Sequence, residues 1–137
     1  MGAMTNTDAV AFFRQKLTME TDAADVHAAL ASGEPGFVLV DSRDDAAWRQ
    51  GRIPGAVHLP AAQVAARVHE LPAGVPVVTY CWGPGCNGAT KAALAFALAG
   101  VPVREMIGGI EYWIREGHGV ENEHGIVTRP VDQLCGC

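Results

Sequence analysis

The stretch Val77-Val-Thr-Tyr-Cys81-Trp-Gly-Pro-Gly-Cys86-Asn-Gly-Ala89, followed by an Ala-rich run to Gly100, decides the reading of this chain. Val77 to Tyr80 is a short β-branched and aromatic run of the kind that forms a buried strand. Ala89 to Leu98 is dense in helix formers and closes on Gly100. Cys81 therefore falls where a strand ends and a loop leads into a helix. Three glycines and a proline among the seven residues from Trp82 to Gly88 permit backbone angles that other residues resist, and can turn successive N–H groups inward to cradle an anion. A thiol at the rim of such a cradle, beside a helix N-terminus, is favoured as thiolate, the nucleophilic form. The competing reading of Cys81 is a buried structural cysteine beside a glycine turn.

Working outward, the 137 residues suit one domain with a single core, and 49% hydrophobic with 18% charged residues is ordinary globular composition. No run of about 18 apolar residues is present. Met1-Gly-Ala-Met4 is unlike a signal peptide and reads as an appended start, so the expectation is a soluble, cytoplasmic protein. The net charge of −5 and the lack of a basic run argue against nucleic acid or anionic membrane as partners. Four cysteines without a secretion signal are expected to be reduced.

Before the cysteine loop, Thr5 or Thr7 caps an expected helix over Asp8 to Gln15, and Lys16 to Glu20 is a weak strand. A helix capped by Thr21 or Asp22 stops near Gly33 and carries His27, read as an exposed helix histidine. Phe37-Val-Leu-Val-Asp41 is a continuous apolar run ending in a carboxylate, the pattern of a central parallel strand. Asp41, Ser42 and Arg43 occupy its end. A short helix over Asp44 to Gln50 with Trp48 as core anchor follows, then the Gly51-Arg-Ile-Pro-Gly-Ala56 turn and a brief strand at Val57 to Leu59. Ala61 to Leu71 reads as an amphipathic helix.

After the loop, Val101 to Glu105 reads as a last strand, and Gly108-Gly109 opens a helix carrying Tyr112, Trp113 and Ile114. From Gly117 the periodicity fades, and His118 and His124 are read as surface histidines. Alternating strands and helices imply right-handed crossovers and a parallel sheet covered on both faces, with ligands beyond the carboxyl ends of the strands. Cys81, Asp41 and Arg43 fall at such ends. Asp41 and Arg43 are either a site rim that meets substrate or an ion pair that fastens the neighbouring loop.

Taken together, Val38-Leu-Val-Asp-Ser-Arg43, Trp48-Arg-Gln-Gly-Arg-Ile-Pro-Gly-Ala56, Tyr80-Cys81 with its loop, and Gly108-Gly-Ile-Glu-Tyr-Trp113 resemble a single-domain rhodanese, a sulfurtransferase, over about residues 17 to 121. The resemblance implies a three-layer α/β/α fold around a five-stranded parallel sheet, between an N-terminal helical extension (1–16) and an irregular tail (122–137). It carries the family's catalytic cysteine onto Cys81. In that family the cysteine attacks a small donor such as thiosulfate, becomes a persulfide, and passes the sulfur to cyanide, a thiol or a protein acceptor, so the resemblance implies the same role for Cys81. No organic cofactor or metal is implied.

The loop physics agrees, since a persulfide anion needs several backbone N–H donors. Trp82, Gly83, Gly85, Cys86 and Asn87 offer them, whereas Pro84 has none. Trp82 either walls the site or anchors the loop. The loop departs from the family pattern in being a residue or two longer and in lacking Arg or Lys. Phosphatases on this scaffold read His-Cys, five residues, Arg; here Tyr80 and Asn87 stand in those places, and a tetrahedral dianion loses its bidentate clamp.

Cys86 is a candidate resolving thiol that converts a Cys81 persulfide into a disulfide, which would make the protein a thiol-linked reductase; the alternative is a helix-start cysteine facing the core. Cys135-Gly-Cys137 invites a thiol relay, or a soft-metal site together with Cys81 and Cys86, or is an incidental terminus. A non-catalytic module that senses or delivers sulfur is the third functional class.

Overall fold

The computed structural model describes residues 5–136. Helix α1, Asn6–Met19, opens on a reciprocal cap: the Asp8 N–H donates to the Thr5 hydroxyl at 3.2 Å, and the Thr5 N–H to the Asp8 carboxylate at 3.0 Å. The helix runs past Gln15 and displaces most of the strand expected at Lys16 to Glu20. Arg14 to Met19 contain no breaker, and Lys16 pairs with Glu20 at 2.6 Å one turn on. What remains as strand is β1, Glu20–Thr21. No residue of α1 is buried.

The chain continues through α2 (Ala23–Ala31), β2 (Val38–Asp41), α3 (Asp45–Gln50), β3 (Val57–His58), α4 (Val64–Arg67), β4 (Val77–Tyr80), α5 (Gly88–Leu98), β5 (Val103–Met106) and α6 (Gly109–Arg115). The five strands form one parallel sheet in the order β1-β5-β4-β2-β3. Strand β4, which delivers Cys81, is central. The helix expected over Ala61 to Leu71 is broken: α4 is a single turn between 3-10 segments at Ala61–Gln63 and Val68–Glu70.

The inner strands are covered on both faces, and alternate side chains feed opposite layers. Leu39, Val78 and Tyr80 join Ala23 and Val26 of α2 and Ile110 and Trp113 of α6 in one apolar cluster. Val40 and Val77 join Val64 of α4 and Phe96 of α5 in the other. Burying each such side chain contributes about 1.5–3 kcal/mol, so the central strands are the best anchored part of the molecule.

Two expectations fail at the periphery. Trp48 is half-buried outside the core, stacked on His58 (centroids 4.8 Å apart), with the Arg52 guanidinium over its ring at 4.7 Å. The segment expected to be irregular folds into an antiparallel hairpin, β6 (Val120–Asn122) and β7 (Gly125–Val127), tied back through mutual hydrogen bonds between Arg52 and Glu121.

Candidate active site

Cys81 follows the last residue of β4 and is 5% exposed. Its carbonyl accepts the Ile110 N–H at 2.9 Å and that of Trp82 accepts the Glu111 N–H at 2.8 Å, so the free amides at the start of α6 hold the loop backbone. The approach is close. A Cβ on Gly109, whose φ is +64°, would lie 2.5 Å from the Cys81 oxygen and 2.6 Å from the Gly83 nitrogen. Only glycine satisfies both the left-handed backbone and the contact.

The structure joins Cys81 and Cys86 as a disulfide. Gly83-Pro84-Gly85-Cys86 makes a turn with proline in its second position, closed by the Cys86 N–H on the Gly83 carbonyl at 3.1 Å. That bond corrects one expectation about the anion cradle, because the Cys86 amide is spent inside the turn. Gly88, the first residue of α5, lies against both sulfurs: a Cβ there would sit 2.9 Å from Cys81 Sγ and 3.3 Å from Cys86 Sγ. Its N–H points at Cys86 Sγ, 3.3 Å away. Negative charge on either sulfur would lie at a helix N-terminus, where amide dipoles favour it. Asn87 precedes that helix without a side-chain cap. The Trp82 ring is 51% exposed and leans over Gly85.

Neither Asp41 nor Arg43 lines the two hollows beside the sulfurs. Asp41 is fully buried, receives Arg43 Nη2 at 2.7 Å and Nε at 3.0 Å, and accepts the Tyr80 hydroxyl at 2.7 Å. The Ile53 N–H in turn donates to Tyr80 Oη at 3.1 Å, and Arg43 reaches the Gly51 carbonyl. The pair therefore fastens the loop after β2 to the 51–53 turn. Burial pushes the Tyr80 hydroxyl well above its ordinary value, with the Asp41 charge acting the same way. Against the desolvation that would lower it, the hydrogen bonds and charge of Asp41 raise the Arg43 pKa. Arg43 does border a separate groove of about 430 Å³ shared with Trp82, Glu111 and Arg129.

A residue that the sequence reading passed over belongs to the site. A cavity of about 160 Å³ beside Cys81 and Cys86 and an outer one of about 470 Å³ beyond Trp82 both have Glu105 in their walls. Thr90 holds its carboxylate at 2.8 Å. Glu105 sits near the end of β5, next to β4, so the strand-end rule that selected Asp41 would have selected it too.

Among the described residues, the tail does not join Cys81 and Cys86, and Cys135 is a free thiol. The Asp132 carboxylate is paired with Arg115 at 2.9 Å, which keeps Cys135 near the C-terminal end of α6, opposite the end that holds Cys81. Cys137 lies outside the described residues. Among the described residues, no group of three or more His, Cys, Asp or Glu side chains is gathered so as to hold a metal ion. His118 is not a plain surface residue: it stacks on His27 with centroids 4.0 Å apart and leans on Trp113 at 4.8 Å. Its Nε2 is buried with no hydrogen-bond partner among the described residues. No helix among the described residues is long and apolar enough to cross a membrane.

A central parallel strand that delivers a cysteine into a glycine-rich loop at a helix N-terminus defines a parallel α/β protein with a cysteine at a strand end. The model of the rhodanese-like domain matches residues 22–116. The crystal structure of the BH2092 protein from Bacillus halodurans is 41% identical, with a TM-score of 0.81 over 88% of this chain and 89% of that one. A Lactobacillus plantarum protein of known structure is 27% identical, with a TM-score of 0.70 over 80% of this chain and 92% of that one. The thiosulfate sulfurtransferase GlpE of Pseudomonas syringae is 34% identical over 62% of this chain and 79% of its own length. An HTH-type transcriptional regulator of Mycobacterium tuberculosis is 35% identical over 61% of this chain, a match that spans only 37% of the regulator. The chain belongs to the rhodanese-like family, and its five-stranded sheet is that family's fold.

Proposed function

We propose that the protein is a sulfurtransferase in which Cys81 carries sulfane sulfur as a persulfide. The observation that supports this most directly is the lodging of Cys81 Sγ against Gly88 at the start of α5, at the end of the central strand. Once a thiol reductant has opened the Cys81–Cys86 disulfide, the Cys81 thiolate attacks the outer sulfur of a donor, and the donor's remaining group leaves with the bonding pair. An acceptor thiolate or cyanide then takes that outer sulfur and regenerates the Cys81 thiolate. The amides of Trp82, Gly83, Gly85, Asn87 and Gly88 are the donors available to the persulfide anion.

The bonded pair favours a second reading. Here the Cys86 thiolate attacks the inner sulfur of the Cys81 persulfide, hydrosulfide leaves, and the disulfide forms for reduction by an external dithiol, which makes the protein a thiol-linked reductase.

Intact mass after reduced wild type, Cys81→Ala and Cys86→Ser meet a sulfane-sulfur donor separates these. Transfer predicts a gain of about 32 Da in wild type and Cys86→Ser and none in Cys81→Ala. Reduction predicts hydrosulfide release and loss of two hydrogens in wild type, with the added sulfur retained only in Cys86→Ser. No adduct in any protein sinks both readings.

A further inference from the structure

We propose that the donor is an organic persulfide and that Glu105 discriminates against oxyanionic donors such as thiosulfate. This rests on the sulfur-transfer reading of Cys81 and names the donor class for that site. Three features carry it. First, neither cavity beside the sulfurs has Lys or Arg in its walls, whereas Glu105 lines both, and Thr90 in the wall of the outer one holds its carboxylate. Second, the inner cavity of about 160 Å³ shares Pro84, Cys86 and Glu105 with a shallow, open outer hollow, so a donor larger than an inorganic anion has room beyond the sulfurs. Third, the outer hollow is open and mostly polar, with half-exposed Trp82 and Pro84 as apolar footholds beside Asn87 and Thr90, a mixture that suits an organic group carrying polar substituents.

Charge separates the donors. Thiosulfate brings two negative charges, and the sulfite it leaves behind is also an anion that must depart past the same carboxylate. In an open, water-filled groove, one carboxylate beside a bound dianion disfavours it by roughly tenfold. With an organic persulfide, Cys81–S⁻ attacks the terminal sulfur of R–S–SH, the S–S bond of the donor breaks, and the thiolate R–S⁻ leaves with the bonding pair and takes up a proton from water. The product is the Cys81 persulfide, and no oxyanion is formed.

The test measures the rate of sulfur addition to Cys81, by intact mass, in a Cys86→Ser background that keeps the sulfur in place. Thiosulfate and cysteine persulfide are compared, with Glu105 intact, Glu105→Gln and Glu105→Lys. The expected result is addition about tenfold or more faster from cysteine persulfide than from thiosulfate with Glu105 intact. Thiosulfate should gain about tenfold in Glu105→Gln and more in Glu105→Lys, while the cysteine persulfide rate moves less than threefold. Equal rates from the two donors, or a thiosulfate rate indifferent to both substitutions, would overturn the proposal while leaving Cys81 as a sulfur carrier. Absence of sulfur on Cys81 from either donor would overturn both.

Discussion

Two glycines and a tyrosine do more for the cysteine loop than its charged neighbours. Gly88 leaves room for both sulfurs and Gly109 lets α6 press on the loop backbone. The Tyr80 hydroxyl, one residue before Cys81, bridges the buried Asp41 carboxylate and the Ile53 N–H. Removing that oxygen leaves a buried carboxylate and a buried amide each short of a partner, and the expected loss for Tyr80→Phe is about 1–3 kcal/mol in a urea titration. A neutral outcome would mean that Asp41 is sufficiently held by Arg43. Asp41 and Arg43 were legible as a strand-end pair because both types stand out after an apolar run. Their burial was not legible, since it depends on Tyr80 and Gly51 arriving from elsewhere in the chain.

At the level of elements, the inner strands were readable because continuous apolar residues admit only burial on two faces, as Val77 to Tyr80 illustrate. Elements at the periphery were less so. Helix α1 has no buried face to impose a period, so its end was set by capping and by where Glu20 finds Glu105 across the sheet. The hairpin of β6 and β7 contains Glu121 and Asn122, and its alternation is too short to stand out. The contact between α2 and the segment after α6 makes a prediction in pH. Burial, reinforced by the His27 charge, holds His118 below its ordinary value of 6.5. The fold therefore favours the neutral ring. That contribution is complete above about pH 6.5 and is lost as pH falls through the lower folded value. Thermal melts between pH 7.5 and 5.5 should show a falling midpoint in wild type and a flatter profile in His118→Gln. Parallel profiles would remove His118 from the account.

For the whole molecule, the disulfide is a local clasp. Its two cysteines are five positions apart, and closing so short a loop contributes about 2 kcal/mol in the chain-entropy account. Both apolar clusters lie on elements that do not need it. Reduction by dithiothreitol is expected to lower the unfolding free energy by about that amount with unchanged far-ultraviolet circular dichroism; loss of helical signal would show that the loop supports the fold. The hydrogen bonds from the start of α6 to the carbonyls of Cys81 and Trp82 bear on how the site comes into being. On the ribosome, both cysteines emerge well before Ile110 and Glu111. A nascent chain, or a fragment cut ahead of α6, thus owns both thiols and the α5 start beside them but lacks the layer that holds the Cys81 and Trp82 backbone in place.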